Sequence, residues 1–488
     1  MKLSALIEPL LIKEAKGDLN TEITGIQIDS RKVQPGDLFV ARVGFTVDGH
    51  DFINQAIKNG AVALLVQKEV SVHIPTVRVP DTQRALSLIA AHFFHYPSRE
   101  LKVIGVTGTN GKTTITHLIE RILSTAQKPI AVMGTTGIKI ASDTYATKNT
   151  TPESIELQKA FRMIRDRGLQ GVAMEVSSHA LDLGRTRGID FDIAVFTNLT
   201  QDHLDYHQTM EQYREAKGRL FSQLGNDYDA EKKKIAVLNV DDPASTYFAK
   251  VTSAQLITYG CDEKAMVRAE KIRVTSQGTS FLMRTFKGSI EIQMQLLGKF
   301  NVYNALAAAS VALGCGCSLE QIRIGLESIS GVDGRLELVE SDQPFTCLVD
   351  YAHTPDSLEN ALTTIREFAQ NRVICVVGCG GDRDRQKRPQ MAAIAEKYSD
   401  LVVITSDNPR SEKPEKIIDE MIQGLTKEDY VIRVNRKEAI KYALEQAEAD
   451  DVVLIAGKGH ETYQEIQGVR YDFDDREVAR SLLKRKEG

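Results

Sequence analysis

Residues 103–114 read VIGVTGTNGKTT. Val103 to Val106 has the composition of a buried strand. It runs into two glycines and a Lys-Thr pair, after which Ile115, Leu118, Ile119, Ile122 and Leu123 recur at helical spacing. Strand, glycine loop and helix in that order make a phosphate cradle. Gly108 and Gly111 let the backbone curl so that N–H groups face an anion. The helix start adds partial positive charge. Lys112 can reach terminal phosphates, and the Thr113 hydroxyl can hold Mg²⁺. A strict G-x-x-x-x-G-K loop would need glycine where Val106 stands, so this is a variant loop. Gly108, Thr109, Asn110, Gly111, Lys112, Thr113 and Thr114 are expected to bind a nucleoside triphosphate. The loop alone names no reaction.

Working outward, the chain divides into three blocks, as its 488 residues allow at roughly 150 residues per domain. The first, 1–97, has short strands at Ile26–Ile28, Asp37–Val40 and Ala63–Val66 and one clear helix, Thr82–His95, which Tyr96-Pro97-Ser98 breaks. The second, 98–331, adds the strands Val172–Val176, Ile193–Phe196 and Ile235–Asn239 with helices between several of them, which predicts a mostly parallel sheet. Residues 271–297 alternate and turn at glycines, so a small antiparallel appendage is expected there. A helix near Phe300–Leu313 closes the block. In the third, 332–488, the strands Cys347–Val349, Val373–Val377, Val402–Thr405, Val431–Val434 and Val452–Ala456 alternate with helices. That is a doubly wound pattern. The predicted fold class is α/β in three domains, with a central P-loop parallel-sheet ATPase domain and a C-terminal Rossmann-like domain.

A hydrophobic share of 42% and a charged share of 26% are ordinary for a globular protein, and a net charge of −5 points to neither nucleic acid nor membrane. Met1–Gly17 carries Glu8 and Glu14 within its apolar pattern and lacks a small-residue cleavage site. Runs such as Ala61–Val66 are too short to span a bilayer. Cys261, Cys315, Cys317, Cys347, Cys375 and Cys379 are scattered through apolar runs, which suggests reduced, buried thiols in a cytoplasmic protein. Cys315-Gly316-Cys317 could be half a metal site, but no second pair follows at suitable spacing.

Three further residues stand out, two of them near the ends of central strands and one in the short helical stretch Tyr213–Leu220. Glu175 ends the apolar run GVAMEV, where sites of parallel sheets collect, and its oxygen suits Mg²⁺. His203, in TNLTQDHLDYH, is a less obvious ligand. A loop histidine bonded to backbone reads as well there. Lys217 lies in YREAKGRL, and on charge alone it is a solvated lysine.

TGTNGKTT, MEVSSHAL, TNLTQDHLDYH, REAKGRLF, LLGKFNVYNALAA, GVDGRLE, VDYAHTPDSL, GCGGDRDRQKRP, TSDNPRSE and AGKGHETYQ together resemble the Mur ligases, in that family's order, from about residue 26 to 465. The resemblance implies an N-terminal UDP-sugar-binding domain at 1–97, a central ATP-binding domain at 98–331 and a C-terminal domain at 332–488. It implies that ATP phosphorylates the carboxylate of a UDP-N-acetylmuramoyl dipeptide, and that an amino acid's amine then attacks the acyl phosphate during peptidoglycan precursor synthesis. Glu175 and His203 resemble the family's Mg²⁺ ligands, and Lys217 resembles its lysine carbamylated by CO₂, which would turn a cation into an anion able to hold metal. Lys112, Lys217 and His203 are thus the expected catalytic set. Ser30, in IDSRK, resembles a uridine-nucleotide contact. Asn149, Thr150, Thr151, Ser177 and Arg185 resemble contacts to the muramoyl peptide. Asn301, Asn304, Arg335 and Asp350 resemble ATP contacts, with His353 near them. Motifs for one ATP thus come from two blocks.

The identity of the added amino acid turns on Asp407-Asn408-Pro409-Arg410. Pro409 stiffens a loop beyond the strand Leu401–Thr405, and the loop presents an acid and an arginine together. A guanidinium suits bidentate capture of a carboxylate, and Asp407 suits an ammonium. Meso-diaminopimelate carries both at its distal end, whereas lysine carries only an amine. The loop resembles the diaminopimelate-adding version of the family, with Arg383, Gly457 and Glu461 as helpers. The bland alternative is an Asp–Arg pair capping the next helix. Rival functions are a lysine-adding Mur ligase, a folylpolyglutamate synthetase and a P-loop switch without ligase activity. The IDSRK and NTTPES strings argue against the folate enzyme. A monomer without membrane insertion is expected.

Overall fold

Alternation decides the first sheet. Leu38, Val40, Ala63 and Leu65 face one way and Phe39, Leu64 and Val66 the other, and each set meets its own helix. The first set packs with Thr82–Phe93 and Leu3–Leu6, the second with Ile53–Lys58. The strand order is Glu14–Lys16, Thr76–Arg78, Ala63–Val66, Asp37–Val40 and Gly25–Gln27, parallel except for the first pair. The computed structural model describes residues 1–44, 47–225, 232–275, 278–329, 331–332 and 334–484. Asp333, in the GVDGRLE stretch, lies outside them.

The chain folds into two compact units. One takes Met1–Gly105, Pro129–Ala194 and Gln223–Lys234; the other takes Val106–Lys128, Val195–Ser222 and Ile235–Gly488. In the first unit Asp81 caps Thr82–Phe93 by accepting from the N–H groups of Gln83 and Arg84. The helix stops two residues before the expected His95. His95 and Tyr96 adopt left-handed backbone and end the helix ahead of Pro97. Ile130–Gly134 and Gly171–Glu175 pair in parallel and are buried along their whole length. Gly137–Ile140 and Asp143–Tyr145 follow in antiparallel order.

In the second unit Lys112–Thr125 buries Ile115, Leu118, Ile119, Ile122 and Leu123 as the spacing predicts. Ile235–Asn239, Gln255–Gly260 and Val267–Thr275 pair in parallel. Gly278–Thr285 and Gly288–Met294 complete the antiparallel appendage. Its residues 276–277 lie outside the described part. Helix Lys299–Gly314 is buried on nearly every side, so its sequence shows no polar stripe.

The last sheet runs Glu337–Leu338, Thr346–Asp350, Val452–Ala456, Val373–Val377, Leu401–Ile404 and Tyr430–Ile432, parallel after its first pair. Pro355–Phe368, Lys387–Tyr398 and Pro414–Ile422 cover one face, and Arg436–Gln446 and Asp475–Leu483 the other. This is the doubly wound arrangement, and its loops after Asp350, Val377, Ile404 and Ala456 gather at the strands' C-terminal ends. All six cysteines are free thiols. Cys261 and Cys315 are half-buried rather than buried. Burial pushes Cys347, Cys375 and Cys379 up to about 12. Among the described residues no helix is long and apolar enough to cross a membrane.

Candidate active site

The strand Lys102–Thr107 delivers the backbone into Gly108 at φ +147° and Gly111 at φ +85°. Space forbids side chains as well. A Cβ on Gly108 would lie 1.8 Å from Thr197 Oγ1, and one on Gly111 would lie 2.4 Å from Asn304 Oδ1. Residues 197–198 brace the loop. Asn198 O accepts from Thr109 N at 2.8 Å, Asn198 Oδ1 accepts from Asn110 N at 2.9 Å, and Thr197 Oγ1 donates to Asn110 O at 2.6 Å. Lys112 Nζ folds back over this loop, donating to Gly108 O at 3.0 Å and Thr109 O at 2.6 Å. Thr113 and Thr114 are buried in the helix's first turn.

Lys217 is not the solvated lysine its charge suggests. It is buried on the helix Met210–Ser222, because its stem runs inward to the loop. Its Nζ donates to Gly108 O at 2.8 Å and stands 4.3 Å from the centre of the Tyr213 ring. Burial first, and the Lys112 charge second, hold its amine well below the ordinary lysine range. That favours the neutral, nucleophilic form. His203 meets a carboxylate, with Nε2 3.3 Å from Asp202 Oδ2. Burial pushes the Asp202 carboxyl up, but His203, His353 and Lys387 outweigh it and hold it at about 2.

Beside the loop lies a cavity of about 550 Å³ lined by Asn110, Gly111, Thr114, Asn304, Arg335 and Asp350 among others. Arg335 stacks on Tyr351, 4.8 Å from the ring centre, and its Nη2 donates to Thr113 Oγ1 at 3.0 Å. Asn110 Nδ2 donates to Asp356 Oδ2 at 2.6 Å, so residues of two sequence blocks meet at one pocket. Asn301 stands behind it, accepting from Asn304 Nδ2 at 2.9 Å. Asp350 accepts from Leu336 N at 2.6 Å, and burial pushes its carboxyl up to about 6 against the pull of Arg335. His353 Nδ1 donates to Tyr351 O at 2.8 Å, and burial pushes its imidazole down to about 4.

At the third block's strand ends, Asp407, Asn408, Pro409 and Gly457 are buried and Arg410 and Glu461 half-buried, while Arg383 is exposed. Asn408 Nδ2 donates to Glu461 Oε2 at 2.8 Å, and Lys458 Nζ bridges Asn408 Oδ1 at 3.2 Å and Glu461 Oε2 at 3.0 Å. Gly457, at φ +119°, has no room for a side chain: a Cβ would lie 2.7 Å from Asp407 Oδ2. Arg410 adopts φ +51°, and its Nη1 donates to Gly381 O at 2.6 Å. The next helix, Pro414–Ile422, starts at Lys413 without a side-chain cap, so the Asp–Arg pair does not cap it.

In the first unit a cavity of about 1000 Å³ is lined by Ser30 with Arg31, Arg42, Arg84, Arg185 and Arg187. Guanidinium groups in that number suit an anion. Ser30 Oγ donates to Gln55 Oε1 at 2.7 Å. Arg185 is oriented by Glu153 Oε1, 3.0 Å from its Nε, and by Thr151 O, 3.2 Å from its Nη1. Thr151 Oγ1 donates to Glu175 O at 2.9 Å and accepts from Ser177 N at 3.0 Å. Thr150 is half-buried, and exposed Asn149 lines a second cavity of about 660 Å³. The Glu175 carboxylate is buried and accepts from Thr135 N at 2.9 Å.

Residues 22–94 match the Mur ligase family catalytic domain, 106–312 the Mur ligase middle domain, and 334–459 the Mur ligase glutamate ligase domain. A relative from Geobacillus thermodenitrificans, named UDP-N-acetylmuramoyl-L-alanyl-D-glutamate–2,6-diaminopimelate ligase, is 54% identical over 96% of each chain. The chain belongs to the Mur ligase family. A Bacillus velezensis relative of the same name is 51% identical over 98% of each chain. A solved structure of a ligase of that name is 36% identical, with a TM-score of 0.70 and full coverage of both chains.

Several residues of this Mur ligase escape the sequence reading. Asp202 adjoins His203 in TQDH, where adjacency was the available signal. Tyr213 is one helical turn from Lys217. Asn198, Glu153 and Lys458 lie within quoted strings, but they act by folding back on loops distant in sequence, which the strings alone do not reveal.

Proposed function

We propose that this Mur ligase adds meso-diaminopimelate to UDP-N-acetylmuramoyl-L-alanyl-D-glutamate at the expense of ATP. The observation that carries the reading is the phosphate loop with two lysines, Lys112 and Lys217, on the one carbonyl of Gly108, beside a cavity lined by Asn304, Arg335 and Asp350. The three sequence blocks, 1–97, 98–331 and 332–488, would serve the nucleotide sugar, ATP and the amino acid. The enzyme would work as a cytoplasmic monomer.

In the reaction a carboxylate oxygen of the acceptor takes the γ-phosphoryl group and ADP leaves. The amine nitrogen then attacks the acyl carbon, the C–O bond to phosphate breaks, and phosphate and a proton depart. Lys112 meets the charge developing on the transferred group. Asn304, Arg335 and Asp350 hold the nucleotide, with Asn301 orienting Asn304. Oxygen donors suit Mg²⁺. In the second unit Thr113 offers a hydroxyl, and His203 a nitrogen steadied by Asp202. In the first unit Glu175 offers a buried carboxylate. Bound Mg²⁺ would offset phosphate charge. Lys217 would offer a metal an oxygen only as a carbamate, and the depressed basicity of its amine supports that modification: nitrogen bonds to the carbon of CO₂ and one proton is released.

Ser30, Asn149, Thr150, Thr151, Ser177 and Arg185 would hold the UDP-muramoyl dipeptide. Arg410 would pair with the distal carboxylate of diaminopimelate, and Asp407, Asn408, Pro409, Gly457, Glu461 and Arg383 would frame its amino-acid head. The test is phosphate release with the acceptor present, screened across amino acids. Release that depends on both acceptor and diaminopimelate supports the reading. Preference for lysine, or release indifferent to the acceptor, overturns it.

A further inference from the structure

Arg436 belongs to none of the motifs that carry the resemblance, yet it is buried at the start of the helix Arg436–Gln446. Its Nε and Nη2 donate to the two oxygens of Asp475 at 2.8 and 2.7 Å, a bidentate fork with an equally buried carboxylate. The rest of the guanidinium faces the other way. Nη2 also donates to Ala456 O at 2.9 Å, and Nη1 donates to Ser406 O at 3.4 Å and stands 4.0 Å from Asp407 Oδ2.

Those two carbonyls occupy telling positions. Ala456 ends the strand Val452–Ala456 and immediately precedes Gly457. Ser406 follows the strand Leu401–Ile404 and immediately precedes Asp407. The two strands flank Val373–Val377. One planar group therefore spans the middle strand and ties together the roots of the two loops, 407–410 and 457–461. The tolerance there is small, since the Asp407 carboxylate lies against Gly457 with no room for a methyl group.

We propose that Arg436, anchored by Asp475, is the positioning residue of the amino-acid subsite: it sets the spacing of the two loops and hence the separation of Asp407, Arg410 and Glu461. This rests on the reading of those loops given above. Five donors in a fixed fork are what the task needs, because an ammonium cannot hold a carboxylate and two carbonyls of opposite strands in one plane. Arg436 and Lys458 also keep Asp407 ionised against the effect of its burial. Neither Arg436 nor Asp475 lines the cavity beside the phosphate loop, so the nucleotide should not sense their loss.

The experiment uses the full-length enzyme and compares Arg436→Gln, Arg436→Lys and Asp475→Asn with wild type, well below each melting temperature. KM is measured for diaminopimelate, ATP and the UDP-muramoyl dipeptide separately. The expected result is a rise of roughly 10- to 100-fold in KM for diaminopimelate in Arg436→Gln, since loops misplaced by an ångström lose about that much. KM for ATP and for the dipeptide should stay within about twofold. Arg436→Lys should recover melting temperature more than it recovers KM for diaminopimelate. Should Arg436→Gln fail to fold, Asp475→Asn, which loosens the fork and leaves the arginine, should give the same selective rise. Folded variants with all three KM values unchanged, or moved together, would overturn the proposal. If wild type itself shows no diaminopimelate-dependent turnover, the reading of the loops falls first, and the two failures are told apart.

Discussion

Lys217 and Arg436 are both buried basic side chains of the second unit, and they are held in opposite ways. Lys217 meets a carbonyl and the face of a tyrosine, with a second lysine on the same carbonyl. Arg436 meets the Asp475 carboxylate squarely. The first setting drives a charge off, and the second keeps it. Lysine can respond by giving up its proton, whereas arginine cannot. The phosphate-loop region thus holds an ionisable group poised for chemistry. The strand ends of the third block hold fixed charges suited to recognition.

The largest effects should come from breaking the first setting. Lys112→Ala and Lys217→Ala should each lower turnover by at least about 10²–10³-fold in folded protein, the scale of losing a group that meets transition-state charge. Small carboxylic acids should restore part of the activity of Lys217→Ala by standing in for a carbamate, and should do nothing for Lys112→Ala. Lys217→Arg sharpens the contrast: it cannot shed its charge, so it should be as inactive as the alanine variant. Equal rescue of both alanine variants would erase the distinction.

Arg410→Ala comes next. Losing a desolvated charge partner costs roughly 2–5 kcal/mol, or on the order of 30-fold to a few thousand-fold in kcat/KM for diaminopimelate at about 1.4 kcal/mol per tenfold. The ATP dependence should barely move, and Arg410→Lys should rescue poorly. Unchanged diaminopimelate kinetics would refute the recognition role.

A third test concerns structure rather than turnover. Arg388 is buried, and its guanidinium pairs with Glu412 at 2.7 Å and Glu420 at 2.6 Å. Arg388→Met should cost about 3 kcal/mol in denaturant unfolding, the lower end for a broken buried pair, because both glutamates keep some water. A change under about 1 kcal/mol would place Arg388 with ordinary surface pairs.

The smallest effect is a pH dependence. Asp350 belongs with Lys217, since burial pushes it toward neutrality. Its folded carboxyl holds a proton up to about pH 6, whereas the unfolded one releases it near 3.9. The stability this proton contributes is full below about pH 4 and lost as pH rises through 6, on the order of 2–3 kcal/mol by linkage. Asp350→Asn should flatten that part of the profile between pH 4 and 7, checked by melting temperature against pH. Parallel wild-type and variant profiles would contradict the assignment.

What was legible in sequence follows the same divide. The phosphate loop is one contiguous strand, loop and helix, and its residues could be named from spacing. The doubly wound block could be read because each of its buried strands is a short apolar run. Lys217 could not be placed from charge, because burial depends on where a helix face turns in three dimensions. The chemistry of the Asp407–Arg410 loop could be read from its residues and its substrate only through resemblance, while its supports, Arg436 and Lys458, lie 26 and 48 positions beyond Arg410 in the chain. Periodicity reports which face a residue takes, not which distant loop it braces.

The cysteines have a practical consequence. Burial pushes Cys347, Cys375 and Cys379 well above the ordinary thiol range and so disfavours their nucleophilic thiolate form. A cysteine introduced on the surface would therefore outpace these three buried thiols toward a maleimide dye. Fluorophore placement for distance measurements would not require removing them.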